Sequence, residues 1–308
     1  MKSGRLRLLL LVLAALCPAL LRAEVFRVAE YNVQNYLDQP TETRHFAKSA
    51  EARAKVRESI RALKPDVIAL EEIGSTNALL ELRASLKAEG LDFPYWEEVS
   101  GFDTNIHVAV LSRFPITARR PHTNENFLLD GRRFGVSRGF LDVDIRVNEN
   151  YSFTLLGAHL KSQRPEPEAD QTELRLHEAR LLREKVDALL KANPRANLVV
   201  LGDLNSTKDS PSTKTIIGTG RFKLIDTRPA ERNGDDASNA NPHYSPMNVN
   251  WTFYFGVEDS YSRIDYILLS PGMAREWLRD ETYVLALPNW GVASDHRPIV
   301  AAFEAGDK

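Results

Sequence analysis

Cysteine is all but missing from this chain. The only one, Cys17, sits inside an apolar N-terminal run, so a chain cleaved after Ala23 has no disulfide and no thiol chemistry. Long apolar runs are equally scarce: Leu8 to Leu21 is the one that qualifies, and it is too short for a comfortable membrane span. With Lys2, Arg5 and Arg7 ahead of it and the small Ala23 at its end, residues 1–23 read as a secretory signal peptide. Leu16 is too large for the position before a lipidated cysteine. Positive charge is not in excess either. Taking the leader's four basic residues from 40 Lys+Arg, against 42 Asp+Glu, leaves the mature chain at −6. A protein built mainly to grip long duplex DNA carries a basic surface, and this one has no such excess overall. No stretch reads as an exposed apolar membrane hairpin, which weighs against a lipid substrate. Repeats, low-complexity tracts and interdomain linkers are absent too, so residues 24–308 are expected to form one exported domain with no stable membrane insertion, as a monomer.

What the chain does have is a recurring arrangement of strands that end on isolated polar groups. Leu198-Val199-Val200-Leu201 reads as a short buried strand, followed at once by Gly202-Asp203-Leu204-Asn205. Side chains alternate along extended chain, so Asp203 and Asn205 point the same way, and Gly202 admits a close backbone neighbour. Further strands are expected at Glu24–Ala29, Asp66–Leu70, His107–Leu111, Phe140–Val147, Tyr151–Ala158, Trp251–Phe255, Ile264–Leu269 and Ile299–Phe303. Helices are expected over 46–63, stopped by Pro65, over 77–89, and over Pro165–Asn193, whose charges read as a solvated face. Glu231–Pro242 has almost nothing to bury and reads as a mobile loop. About nine strands and three substantial helices, with hairpins between some strands and helices between others, suggest an α+β fold of two packed sheets covered by helices.

Six places join a strand pattern to an isolated polar group: Asn32, Glu72, His159, Asp203 with Asn205, Asp265, and Asp295 with His296. Each alone has a structural role open to it, as a loop cap, a helix cap or a satisfied core histidine. A sandwich, however, presents its strand ends together at one rim, where such groups can converge. Taken together, Asn32, the DVIALEE run ending on Glu72, Ala158-His159-Leu160, LGDLN, RIDYIL and SDHRPI resemble the motif set of the endonuclease/exonuclease/phosphatase superfamily, in its order and over nearly the whole mature chain.

The resemblance implies a DNase I-like, four-layered α/β sandwich and a divalent-metal-dependent hydrolase of phosphodiesters. It implies that Glu72 binds metal with Asn32 and Asp295 beside it, hard oxygen ligands suited to Mg²⁺ or Mn²⁺ rather than zinc. Asp203 and Asn205 match the pair that orients the attacking water and holds a phosphate oxygen. His296 matches a histidine fixed by an acid, here Asp265, and His159 a second phosphate contact. The sequence departs from the pattern in two places. Glu71 replaces the glutamine common before the metal glutamate, which adds a charge near the site. His159 stands where abasic-site endonucleases carry a tyrosine-containing motif, which points toward the DNase I, sphingomyelinase and phosphatase branches. Arg113, Arg138, Lys161 and Trp251 are further candidates for substrate contacts. Nucleic acid is the expected substrate, with a phospholipid head group or a small phosphoester as the alternative. Gly135-Val136-Ser137-Arg138-Gly139 matches a nucleophile elbow in letters, but no buried strand precedes it and no helix follows. A non-catalytic binding protein on the same scaffold would be expected to lack one of the site residues, and none is missing.

Overall fold

The computed structural model describes residues 24–232 and 248–306. The expected signal peptide and nearly all of the 231–242 loop lie outside the described residues. The order begins with β1 (Glu24–Tyr36), α1 (Ala50–Leu63), β2 (Val67–Ile73), α2 (Thr76–Ala88), β3 (Tyr95–Val99) and β4 (His107–Ser112). Then come β5 (Ile116–Arg119), β6 (Asn126–Leu129), β7 (Arg132–Gly135), β8 (Phe140–Arg146), β9 (Ser152–Ala158), α3 (Gln171–Ala192) and β10 (Leu198–Asp203). The rest comprises α4 (Pro211–Ile217), β11 (Ile225–Asp226), β12 (Ala230–Glu231), β13 (Phe253–Phe255), β14 (Ser260–Ser262), β15 (Asp265–Leu269), β16 (Trp277–Val284) and β17 (Ile299–Ala305).

Two mixed sheets dominate. One has the order β12-β16-β17-β1-β2-β4-β3 and the other β11-β15-β10-β9-β8-β5. Alternation along the strands sends one set of side chains between the sheets, where Phe26, Leu141, Phe153, Leu201, Ile267 and Phe303 pack. Phe26 is at the centre, with Phe153 and Phe303 stacked on it at 5.3 and 5.4 Å. The opposite face of the first sheet packs on α1 and α2 through Ile60, Leu63, Leu79 and Leu82. The opposite face of the second packs on α3 through Leu182, Val186 and Leu190. Helix, sheet, sheet, helix: the four-layered sandwich is there.

The helices begin where their caps dictate. Ser49 accepts from Ala52 N–H to open α1, which ends at Lys64 in the left-handed conformation just before Pro65. Asp170 accepts from Thr172 and Glu173 N–H, so α3 starts there and not at Pro165. The expected solvated face of α3 is also corrected. Arg175 and Glu178 are buried, because loops pack over them and offer hydrogen bonds.

Seventeen strands are present among the described residues, not about nine. The additional ones are short or lie near sheet edges, where half-exposed polar residues break the alternation; β16, with Arg279, Asp280 and Glu281 in it, is the clearest case. Glu231 pairs in β12 instead of opening a loop. The β13–β14 hairpin exposes Phe255, Val257 and Tyr261, so the expectation that no exposed apolar hairpin exists is overturned. Among the described residues no helix is long and apolar enough to cross a membrane.

Candidate active site

Strand polarity gathers the polar groups at one rim. β1 and β2 run parallel, as do β9 and β10, so their C-terminal ends deliver Asn32, Glu72, His159 and Asp203. β15 and β17 run antiparallel to their neighbours and present their N-terminal ends there, which brings in Asp265 and the Asp295-His296 pair. Asp265 sits directly across the ladder from Asp203. Gly202 makes the close approach possible: its φ is +131°, and a Cβ there would lie 2.0 Å from the Ala158 carbonyl oxygen. Leu160 N–H then donates to Asp203 O at 3.0 Å, which sets His159 beside Asp203.

The centre is a buried network. His296 Nδ1 lies 2.9 Å from Asp265 Oδ2, and its Nε2 faces Asp203 Oδ2 at 3.8 Å. Asp203 Oδ2 accepts from Asn32 Nδ2 at 3.0 Å and has His159 Nε2 at 3.5 Å, while its Oδ1 accepts from Asn205 N–H at 2.8 Å. Asn205, at φ +49°, also donates from Nδ2 to Leu160 O at 3.0 Å and more weakly to Asp203 Oδ2 at 3.4 Å. Burial pushes the His296 imidazole toward neutrality, but Asp265, Asp203 and Asp295 outweigh it and hold its pKa at about 10. His296 is therefore a cation at neutral pH. Burial, with the charge of Asp265, lifts the Asp203 carboxyl to about 7. Burial and the neighbouring cations Arg138, His296, Arg44 and Lys161 hold His159 well below its ordinary value, so it is neutral. Phe253, missed in the sequence reading, covers the His296 ring at 4.8 Å between centroids.

Glu72 and Asp295 occupy the more open side of the rim. Glu72 is a non-glycine residue at φ +61°, a backbone cost of about 1–3 kcal/mol that accompanies functional placement. Its Oε2 accepts from Asn35 N–H at 2.8 Å. Burial and then the charge of Glu72 push the Asp295 carboxyl up, against the pull of His296. Lys48, half-buried, feels both carboxylates, although burial brings its pKa down to about 8. Two hard carboxylates that repel each other on the open side of the rim fit a divalent cation, with the Asn32 side-chain oxygen, which accepts from Gln34 N–H at 3.0 Å, as a further candidate. Asp203, Asp265 and His296 also present atoms within 4.8 Å of one another. That trio fits a cation less well, because Asp265 is engaged by His296 and Asp203 by Asn32 and Asn205.

Glu71 does not add the expected charge. It is fully buried with its carboxyl against that of Glu30, and a Cβ at Gly202 would lie 3.1 Å from Glu71 Oε1. Burial lifts both carboxyls, Glu30 well above its ordinary range, so the pair favours the neutral form. A neutral carboxyl has nearly the shape and polarity of the glutamine it replaces.

Two candidates for substrate contact are corrected. Arg113 follows β4, whose C-terminal end pairs with the start of β2, so it lies at the sheet edge opposite Glu72 and bonds Asp66 Oδ1 at 2.7 Å. Trp251 is committed to packing: the Arg297 guanidinium lies 3.3 Å from its ring centroid, and Tyr261 and Trp290 close around it. Arg138 and Lys161 do line a cleft of about 860 Å³ that opens beside Glu72. Sequence reasoning missed the residues of α3 that hold this side together. Glu178 accepts from Ser137 N–H and Oγ–H and from Lys161 N–H, and Arg175 donates to Ser206 Oγ and to the Lys161 and Ser162 carbonyls. Ser137 is thus bound to a carboxylate and precedes a strand, which removes the nucleophile elbow.

The family model of the endonuclease/exonuclease/phosphatase family matches residues 29–296. No curated protein matches. Among solved structures, sphingomyelinase C from Streptomyces griseocarneus superposes with a TM-score of 0.61 at 18% identity, over 91% of this chain and 100% of its own. The truncated Caenorhabditis elegans TDP2 gives 0.60 at 14%, over 91% and 98%, and the human Nocturnin catalytic domain with bound sulfate 0.60 at 14%, over 92% and 95%. At these identities the three share the fold.

Proposed function

The chain belongs to the endonuclease/exonuclease/phosphatase family, a family of phosphoester hydrolases, and from that premise we propose that it is an exported, divalent-metal-dependent phosphodiesterase of nuclease type. One observation carries the reading: a buried imidazolium, locked by Asp265, faces Asp203 at the same rim as Glu72 and Asp295. Export rests on the leader pattern of residues 1–23.

Glu72, Asp295 and the Asn32 side-chain oxygen would hold the cation. When bound, Mg²⁺ or Mn²⁺ supplies positive charge to the phosphate oxygens. Asp203, kept in place by Asn32 and Asn205, is the carboxylate positioned to orient a water and accept its proton as the new O–P bond forms. The opposite P–O bond breaks in line. His296 places a fixed cation against the charge that grows on a non-bridging oxygen, in a site from which water is largely excluded. Neutral His159 offers a ring N–H to the same phosphate. The weak 3.4 Å contact of Asn205 Nδ2 is readily redirected to it.

A phospholipid head group is the second reading, favoured by the exposed tip of the β13–β14 hairpin next to His296. The test is turnover of bis(p-nitrophenyl) phosphate, single- and double-stranded oligonucleotides, RNA and sphingomyelin, with Mg²⁺ and with chelator. Oligonucleotide cleavage that chelator and His296→Ala both abolish is the expected result. Turnover of sphingomyelin alone would transfer the protein to the second reading. No turnover of any ester by a metal-loaded protein would overturn both.

A further inference from the structure

The cleft beside Glu72 has a wall that simple ester hydrolysis does not require. Phe102 stands at its lip, 62% exposed, and Phe46 at another point of the lining, 84% exposed; they are the most exposed phenylalanines among the described residues. Phe102 is not a loose side chain. Its ring lies over Gly135, where a Cβ would come within 1.9 Å of Phe102 Cδ2. Phe102 N–H donates to Val136 O and Asp103 N–H to Ser137 O, and a Cβ on Gly101 would lie 2.4 Å from Gly139 N. The glycines of the GVSRG stretch therefore serve close backbone packing, and its consequence is an aromatic ring fixed at the lip of the cleft.

The same cleft is lined by an incompletely satisfied guanidinium. Arg138 is 6% exposed, its Nε is buried without a hydrogen-bond partner, its Nη1 reaches Leu160 O only at 3.3 Å, and its Nη2 is 3.6 Å from Asp103. Asp103 also holds Arg44 at 3.1 Å, so one carboxylate orients two cations without neutralising both. Lys161, its own side chain 9% exposed, pairs at 2.9 Å with Glu166, whose side chain is 43% exposed, so the acid half of the pair lies in solvent and an anion in the cleft would compete with it for the ammonium. A fixed aromatic ring and donor-rich cations lining one cleft suit a base and the phosphate next to it. A duplex hides its base faces, while an unpaired strand presents them to aromatic side chains.

We propose that this cleft is a subsite for single-stranded nucleic acid, with one base on Phe102 and a phosphate flanking the scissile one held by Arg138 and Arg44. The proposal rests on the phosphodiesterase reading and names its substrate class. Its test uses the full mature protein, a fluorescently labelled ten-nucleotide single strand, the matching duplex, sphingomyelin vesicles and bis(p-nitrophenyl) phosphate. In chelator, Phe102→Ala is expected to weaken single-strand binding about tenfold, Phe102→Trp to restore it, and Arg138→Gln to reduce the slope of log affinity against log salt by about 0.7. With Mg²⁺, the ratio of oligonucleotide to bis(p-nitrophenyl) phosphate kcat/KM falls about tenfold in Phe102→Ala. Thermal unfolding is the control, and an unchanged midpoint is expected for a substitution at this exposed position. The proposal is overturned if Phe102→Ala binds the strand within twofold of the wild type, if the duplex binds as tightly as the single strand, or if the vesicles are bound and the strand is not. Failure to hydrolyse even bis(p-nitrophenyl) phosphate would instead overturn the phosphodiesterase reading itself.

Discussion

The buried centre and the cleft wall are assembled in opposite ways. His159, Asp203, Asp265 and His296 stand at or just beyond strand ends, so ladder register fixes their spacing before any side chain interacts. Arg44, Phe102 and Arg138 stand on loops, and their positions depend on glycine contacts and on the reach of Glu178 from α3. A centre made from strand ends has little freedom to vary, whereas a wall made from loops can change with few consequences for the core. In the proposed reading chemistry is separated from selection, and substitutions should divide accordingly.

The largest effect tests the centre. His296→Ala is expected to lower kcat on bis(p-nitrophenyl) phosphate about 10²–10³-fold, the cost of losing one preorganised electrostatic group. Initial rates with Mg²⁺ measure it, and a loss under tenfold would remove the imidazolium from its role. The second test crosses from one region to the other. Glu178→Leu strands the Ser137 and Lys161 N–H groups, at roughly 1–3 kcal/mol for each buried donor. Urea unfolding should show that loss, and the KM for an oligonucleotide should rise more than kcat for the small ester falls. Equal damage to both would mean that wall and centre are one unit.

A third test uses pH on the metal-free protein. The folded His296 pKa of about 10 lies above its unfolded value of about 6.5, so folded His296 binds a proton more tightly than the unfolded chain does. The stability it contributes is complete below about pH 6.5 and is lost as pH rises through about 10. The urea midpoint should therefore fall between pH 7 and 10, and Asp265→Asn should flatten that slope. The smallest effect belongs to Arg113→Ala, which removes an exposed ion pair worth about 0–1 kcal/mol and should change turnover less than twofold.

The same division explains what could be read from the sequence. LGDLN was legible because an apolar run, a glycine and two polar residues two apart specify a strand end with side chains on one side. Arg113 looked equivalent and was not. It follows a strand whose direction in the sheet is reversed, and polarity is decided by pairing partners far away in the chain. Nothing local distinguishes Phe102 from any loop phenylalanine; the signal, had it been weighed, was three glycines at 101, 135 and 139 that have no turn to make in common. Glu178 was hidden because one buried acid among the exposed charges of a helix keeps the same periodicity. Glu71 was identified correctly, but its charge was not, since ionisation depends on a burial that sequence does not display.

β1 pairs with β17 along Glu24 to Glu30, so the first and last strands described lie side by side in the middle of a sheet. Asn32 lies in the first of them, two residues beyond the last position paired with the other, and Asp295 and His296 lie in the segment that leads into that other strand. The rim is therefore closed at the seam where the first and last strands described meet, across the strand pairing most distant in sequence among the described residues. Pairings this distant in sequence form slowly. A partly made chain can build its sheets around Asp203 and still hold no working site. In the proposed reading, turnover is expected only once the last strand described has docked against the first and brought Asp295 and His296 to the rim.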